Sequence, residues 1–285
     1  MTVFVILHYQ ALKETLDCVR SIKNNIAKDY KIIIVDNLSP NNSGEQLKKQ
    51  FSQDNRIVVI LNRENCGFAK GNNIGYQEAK RYDPDYIVVL NSDTVLLQSN
   101  FLVLVEEAYK KYKFDVLGPD IYSTKANYHQ NPQRHTNYTL RELKRQYRKL
   151  TFKDRYKWIL RIKYFIFRTH RYNNSRYTRA EEIQTDVVLH GAFYIFSHQF
   201  IEKHNECFYS NTFMYYESYI LHHMGMREKM RFLYYPAIKV NHLEDASTDN
   251  TYKTVYNKSI FVNKCLMESC KEFIRIYEKK EIRLG

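Results

Sequence analysis

Two short polar clusters in this chain place carboxylates where chemistry is expected: Asp36-Asn37 and Asn91-Ser92-Asp93. The first follows Ile-Ile-Ile-Val, within the run Lys31–Val35, and the second follows Tyr86–Leu90. Continuous apolar runs of this length are the pattern of strands buried on both faces. In an open α/β sheet, ligands gather at the carboxyl ends of the strands, so both clusters fall where a site forms. Asp93 is a hard oxygen donor, suited to a divalent cation that neutralises phosphate charge. Asp36 can accept hydrogen bonds from a ribose or from a base N–H. One polar strand end is unremarkable, but two on the same edge suggest a nucleotide site. The alternative for Asn91 to Thr94 is a turn and N-cap for the next helix, since all four residue types favour that role.

The elements that must position these residues alternate regularly. Val3–Leu7 reads as a first strand, and a helix follows from about Ala11 to Ile26 with Leu12, Leu16, Val19 and Ile22 on one face. After the Lys31–Val35 strand come a polar loop, a short helix from Glu45 to Phe51, and a third strand at Ile57–Leu61. A helix ending near Arg81 precedes the Tyr86–Leu90 strand. Strand and helix alternating at this pitch predict βαβ units in a mostly parallel sheet. Gly67, Gly71 and Gly75 stand on nearly one helix face, which implies close packing or close approach of the backbone to a ligand. Neither G-x-G-x-x-G nor a P-loop is present, so neither of those nucleotide sites is supported.

The series IIIVDNLSPN, NCGFAKGNNIG and VVLNSDT, in that order and spacing, resembles bacterial family 2 inverting glycosyltransferases of GT-A fold, closest to the rhamnosyltransferase-like branch. The likeness runs from about Thr2 to Leu104. It resumes at His190-Gly-Ala-Phe193, Phe213-Met-Tyr-Tyr-Glu217 and Tyr235-Pro-Ala-Ile-Lys-Val-Asn-His242. The resemblance implies a UDP- or dTDP-sugar donor and a hydroxyl acceptor on a growing, lipid-linked surface glycan. It implies that Asp36 and Asn37 contact the nucleotide, with Lys70, Asn73, Asn91 and Ser92 helping to hold it. Asp93 matches the last acid of the metal-binding motif, and His242 a histidine that reaches the metal or diphosphate, with Ser247 nearby. A mixed oxygen and nitrogen ligand set tolerates Mn²⁺ as well as Mg²⁺.

One departure bears on the chemistry. Where the family carries several acids before its acceptor-side helix, this chain reads Phe208-Tyr-Ser-Asn-Thr-Phe-Met-Tyr-Tyr-Glu-Ser218. Ser218 replaces the aspartate assigned as base, and Glu217 is the only carboxylate in the window. Either Glu217 is the base, with Phe213, Tyr215, Tyr216 and Tyr219 raising its pKa by desolvation, or it simply opens a helix. If it is not the base, Glu244 and Asp245 beside His242 are next, or the chain is a non-catalytic or weakly active nucleotide-sugar-binding partner of a glycan synthase. A nucleotidyltransferase is the third reading, and the missing Gly-rich signature counts against it.

Charge is distributed unevenly over the 285 residues. Between Arg141 and Arg179 fourteen basic residues face only Glu142 and Asp154, so this segment carries +12 of the net +13. Leu140, Leu143, Tyr147 and Leu150, then Trp158, Ile159, Ile162, Phe165 and Ile166, recur between the bases at helical spacing. A basic amphipathic helix of this kind reads as an anionic-membrane contact, with a solvated excursion as the alternative. No nucleic-acid fold motif accompanies the charge, so no nucleic-acid partner is expected.

Five cysteines without C-x-x-C spacing fit a reducing compartment. With no signal peptide and no apolar run of bilayer length, the expectation is a cytoplasmic protein, peripheral at the inner face of the plasma membrane. The expected organisation is a GT-A domain over 1–245, including a basic helical insertion at about 135–180, and a C-terminal helical extension over 246–285. That extension packs on the core or makes an oligomer contact.

Overall fold

The computed structural model describes residues 1–157, 179–243, 254–279 and 281–285. The second half of the basic run, with Trp158, Phe165 and their neighbours, lies outside the described residues, as do Glu244, Asp245 and Ser247.

The alternation is present. Strands β1 (Thr2–His8), β2 (Tyr30–Asp36), β3 (Ile57–Leu61) and β4 (Tyr86–Asn91) are separated by helices α1 (Leu12–Asn25), α2 (Ser43–Gln50) and α3 (Gly67–Lys80). They pair in parallel in the order β3-β2-β1-β4, with Leu7 opposite both Val35 and Asn91. That register sets the ends of β2 and β4 on one sheet edge. Helix α3 lies close on β1 because its glycines leave no room for a side chain. A Cβ on Gly71 would stand 2.6 Å from Leu7, and one on Gly75 2.4 Å from Val5. Among the two readings of that glycine row, close packing is the one realised.

Beyond β4 the chain builds the other half of the sheet. Asn91 to Thr94 does not cap a helix: Thr94–Leu96 forms strand β5, and the next helix, α4, spans Phe101–Tyr112. Strand β6 (Val116–Ser123) and the short β7 (Tyr128–His129) form a hairpin, followed by helix α5 (Leu140–Arg155). Then come β8 (Gln184–Thr185), β9 (Phe193–Ser197), α6 (His198–Lys203), α7 (Glu217–Arg227), β10 (Phe232–His242) and α8 (Val255–Glu278). The full order is β3-β2-β1-β4-β9-β6-β10-β5. β6 and β10 are parallel to each other, and β9 runs antiparallel between β4 and β6. The sheet is therefore mostly parallel in strand direction.

Side chains alternate across the sheet, so each strand feeds two cores. Phe4, Ile6, Ile34, Val88 and Ile195 meet α1 and α4 on one face. Val5, Val35, Val89, Tyr194 and Phe196 meet α3 and α7 on the other. The second core continues into α5 and α8, where Leu143, Leu150, Cys270, Phe273 and Ile276 are buried together. The apolar side of the C-terminal helix is thus covered by its own chain.

Candidate active site at the carboxyl edge of the sheet

Register alone explains why Asp93 and His242 meet. β5 pairs antiparallel with β10, setting His242 opposite Thr94, the residue after Asp93. His242 Nε2 stands 3.2 Å from Asp93 Oδ1, and both side chains are buried. The other ring nitrogen, Nδ1, lies 2.8 Å from Gln130 Oε1. The Gln130 contact fixes the ring so that Nε2 faces Asp93. The spacing of Nε2 and Oδ1 suits a cation between them, since cis ligands of an octahedral cation at about 2.1 Å stand about 3 Å apart. Among the described residues no group of three or more His, Cys, Asp or Glu side chains forms a complete metal site. A cation held by this pair would take its remaining ligands from phosphate and water, as Mg²⁺ commonly does.

His190 was not singled out in the sequence, and it belongs here. Leu90 opposite Phe193 draws the His190-Gly-Ala turn to the end of β4, where Asn91 N–H donates to Ala192 O at 2.9 Å. Ala192 N–H donates to His190 Nδ1 at 3.2 Å, so the ring presents an Nε2–H donor. Burial and the neighbouring His242, 5.9 Å away between ring centroids, push its pKa down to about 3, partly offset by Asp93. The only sequence sign was the H-G-A turn itself.

Glu217 opens α7 from an unusual backbone. Tyr215 and Tyr216 both lie in the left-handed region, at φ of 72° and 67°. Two bulky residues there in succession are uncommon and mark local strain. The carboxylate they present is buried, and its Oε1 has no hydrogen-bond partner. Desolvation pushes its pKa up to about 7, against hydrogen bonds from the Thr212 hydroxyl and the Tyr215 and Glu217 backbone. A buried carboxylate with an idle oxygen near neutrality is the condition of a general base. Glu217 lines a cavity of about 430 Å³ together with Asn91, His190, Tyr138, Gln146 of α5 and Leu266 of α8. Ser218, beside it, is buried against Gly191, whose Cβ, if present, would stand 3.2 Å from Ser218 Oγ.

The remaining expected contacts divide. Asp36 is buried at the end of β2; Ser39 N–H donates to Oδ1 and Oδ2 at 3.3 and 3.2 Å, and Ser39 Oγ–H to Oδ1. His8 lies 3.9 Å from Asp36, and burial takes its pKa down to about 4. Ser92 is buried between Asn91 and Asp93, and Lys70 is exposed on α3. Asn37 and Asn73 are occupied within the chain. Asn37 accepts from Cys66 N–H at 3.0 Å and Asn62 at 3.2 Å, and donates to Asn65 and Gly67 O, which shapes the 62–67 loop. Asn73 donates to Phe208 O at 2.7 Å and to Ser210, and accepts from Cys207 and Phe208 N–H. Both amides act as staples, a role that their residue type did not reveal.

A mostly parallel α/β sheet with polar side chains gathered at its carboxyl edge is the arrangement of a GT-A fold. The chain belongs to Glycosyl transferase family 2, whose profile matches residues 3–169. It is 30% identical over 110 residues to the glycosyltransferase GlyG of Streptococcus pneumoniae, covering 39% of this chain and 36% of that protein. It is likewise 30% identical over 113 residues to the bifunctional glycosyltransferase pgtA of Dictyostelium discoideum, covering 39% of this chain and 15% of that one. The matched regions are thus well under half of either relative. Among solved structures, GalNAc-T7 with UDP, GalNAc and Mn²⁺ superposes with a TM-score of 0.57 at 12% identity, over 100% of this chain and 55% of that one. S. aureus TarS in complex with UDP gives 0.54 at 12% identity, over 98% and 72%. At such identities the likeness is one of fold.

Proposed function

We propose that this chain transfers a sugar, hexosyl or rhamnosyl, from a UDP- or dTDP-activated donor to a hydroxyl of a growing surface glycan, with inversion. The observation that carries the reading is Glu217, a buried carboxylate whose Oε1 lacks a hydrogen-bond partner, on a side chain that lines a cavity with Asn91 and His190. In the reaction, Glu217 takes the acceptor's hydroxyl proton as that oxygen attacks the anomeric carbon. The bond from that carbon to the diphosphate breaks, and its electron pair leaves with the diphosphate. Attack and departure on opposite faces give inversion.

His190 Nε2–H is a further donor toward substrate oxygens. Asp36 holds the nucleotide at the end of β2, with Lys70, Asn91 and Ser92 along the same edge. Asp93 and His242 would hold a Mn²⁺ or Mg²⁺ ion, which offsets the charge developing on the diphosphate. UDP in two fold relatives, one also with Mn²⁺, makes a UDP-sugar with Mn²⁺ the first combination to try. No described helix is long and apolar enough to cross a membrane. A lipid-linked acceptor would therefore be met at the inner face of the plasma membrane, as in capsule or cell-wall assembly.

Where the family carries an acid this chain has Ser218, which leaves Glu217 as the carboxylate of that window. Ser218 lines the same cavity, and Glu217 beside it has its pKa pushed up to about 7 by desolvation, in the range a base requires. The deciding experiment screens UDP- and dTDP-sugars for nucleoside diphosphate release, with and without a lipid-linked acceptor. Release that depends on acceptor and disappears in Glu217→Gln supports transfer. Nucleotide binding without release from any donor would make the chain a non-catalytic binding partner.

A further inference from the structure

Helix α5 turns its apolar stripe inward, leaving a different face to solvent. A capping box between Thr139 and Glu142 fixes its start. Leu143 and Leu150 are buried, and α8 meets them directly: Cys270 donates to Leu143 O at 3.5 Å and Asn263 to Leu150 O at 3.2 Å. Gln146, on the flank, lines the cavity beside Glu217. Of the residues that the sequence offered to lipid in this helix, Leu143 and Leu150 are therefore already covered, and Leu140 and Tyr147 are half-buried.

The outer face has its own composition. At 100° per residue, the positions within about 60° of Phe152 are Arg141, Arg145, Arg148, Lys149, Arg155 and Tyr156. The five cations are exposed, and Phe152 is 63% exposed with its ring centroid 4.5 Å from that of Tyr156. No carboxylate falls among them. Glu142 stands at the margin, where Thr139 N–H donates to it at 2.7 Å, and Asp154 lies on the far side. Like charges along one helix face repel, and an exposed phenyl ring is poorly hydrated. A surface with anionic groups outside an apolar layer relieves both.

We propose that the outer face of α5 docks on an anionic phospholipid bilayer. Phe152 and Tyr156 enter the headgroup layer, and the five cations meet lipid phosphates and carboxylates. The contact stands on exposure and charge alone and does not rest on the transferase reading. Its consequence is positional. The helix that touches lipid on one side walls the Glu217 cavity on another, so the cavity lies about one helix diameter, about 10 Å, from the membrane surface.

The test is co-sedimentation of the full chain with vesicles of phosphatidylcholine alone or mixed with phosphatidylserine, over a salt series. Binding is expected only to the mixed vesicles and should weaken as salt rises. The triple variant Arg145→Gln, Arg148→Gln, Lys149→Gln should bind roughly a hundred-fold more weakly, about five-fold for each base removed. Phe152→Ser should weaken binding about ten-fold. All four positions are exposed, so circular dichroism and nucleotide affinity should be unchanged. No binding to the mixed vesicles, or equal binding to neutral ones, would overturn the proposal. So would undiminished binding by the triple variant. Displacement of the vesicles by single-stranded RNA at lower concentration would assign the face to nucleic acid instead.

Discussion

At the scale of single residues, Glu217 is where stability and function oppose each other. Its folded pKa, about 7, stands above the ordinary glutamate value of 4.5 because burial disfavours the charge. Between those two pH values the folded chain holds a proton that the unfolded chain has released. Stability therefore falls as pH rises through that window and stays reduced above it. The full effect is on the order of 3 kcal/mol. Glu217→Gln resembles the protonated form at all pH values. It should match the parent in thermal stability below about pH 4.5 and exceed it by a few degrees at pH 8. Turnover should fall by about two to four orders of magnitude, with donor affinity nearly unchanged. A variant that is no more stable at pH 8, or that still turns over, would remove Glu217 from the role of base.

The donor pair makes a second prediction at this scale. Asp93→Ala or His242→Ala should abolish any dependence of UDP affinity on Mn²⁺, measured by titration calorimetry. Equal enhancement of UDP binding by Mn²⁺ in the parent and both variants would place the cation elsewhere. Asp36→Ala should weaken UDP binding whether or not metal is present, which distinguishes a nucleoside contact from a diphosphate contact.

At the scale of elements, Asn73 shows how a helix is tied to the segment that leads to Glu217. Its amide joins α3 to Cys207 and Phe208, more than 130 residues away in sequence. Asn73→Ala strands two backbone donors and one acceptor in a buried place, at a cost of about 2–4 kcal/mol. The expected result is a lower Tm and reduced kcat, since the strained Tyr215-Tyr216 turn follows that segment, with the KM for donor little changed. A raised donor KM at constant Tm would instead return Asn73 to the nucleotide.

Sequence legibility divides along the same line. The strands β1 to β4 and helices α1 to α3 were readable because local periodicity and apolar runs define them. So were Asp36 and Asp93, placed by strand ends. The meeting of His242 with Asp93 depended on β5–β10 register, and the arrival of His190 on an antiparallel β9 inserted between β4 and β6. Neither pairing leaves a local pattern. The intrachain bonds of Asn37 and Asn73 were not legible for a related reason: an amide near a site can serve the loop as readily as the ligand, and residue type alone does not name its partners.

At the scale of the whole molecule, the question is whether the C-terminal helix is an appendage or part of one cooperative unit. The boundary expected at about residue 245 sets off α8 as an extension, and its packing bears on how far it unfolds with the rest. Phe273 of α8 is fully buried, and its ring lies 6.2 Å from Tyr216 and 5.6 Å from His223 of α7. Ser269 donates to Met214 O at 2.8 Å, and Tyr209 to Glu272 at 2.6 Å, so α8 also holds the segment leading to Glu217. Phe273→Ala should then cost about 3–5 kcal/mol, felt by the sheet as well as by the helix. In calorimetry the parent should unfold in one transition, with calorimetric and van't Hoff enthalpies equal, and the variant in one transition at lower temperature. Turnover should drop too, because Tyr216 loses the ring that supports its left-handed backbone. Two transitions, with only the smaller one moved by Phe273→Ala, would make the helix a separate unit and leave the sheet to position Glu217 without it.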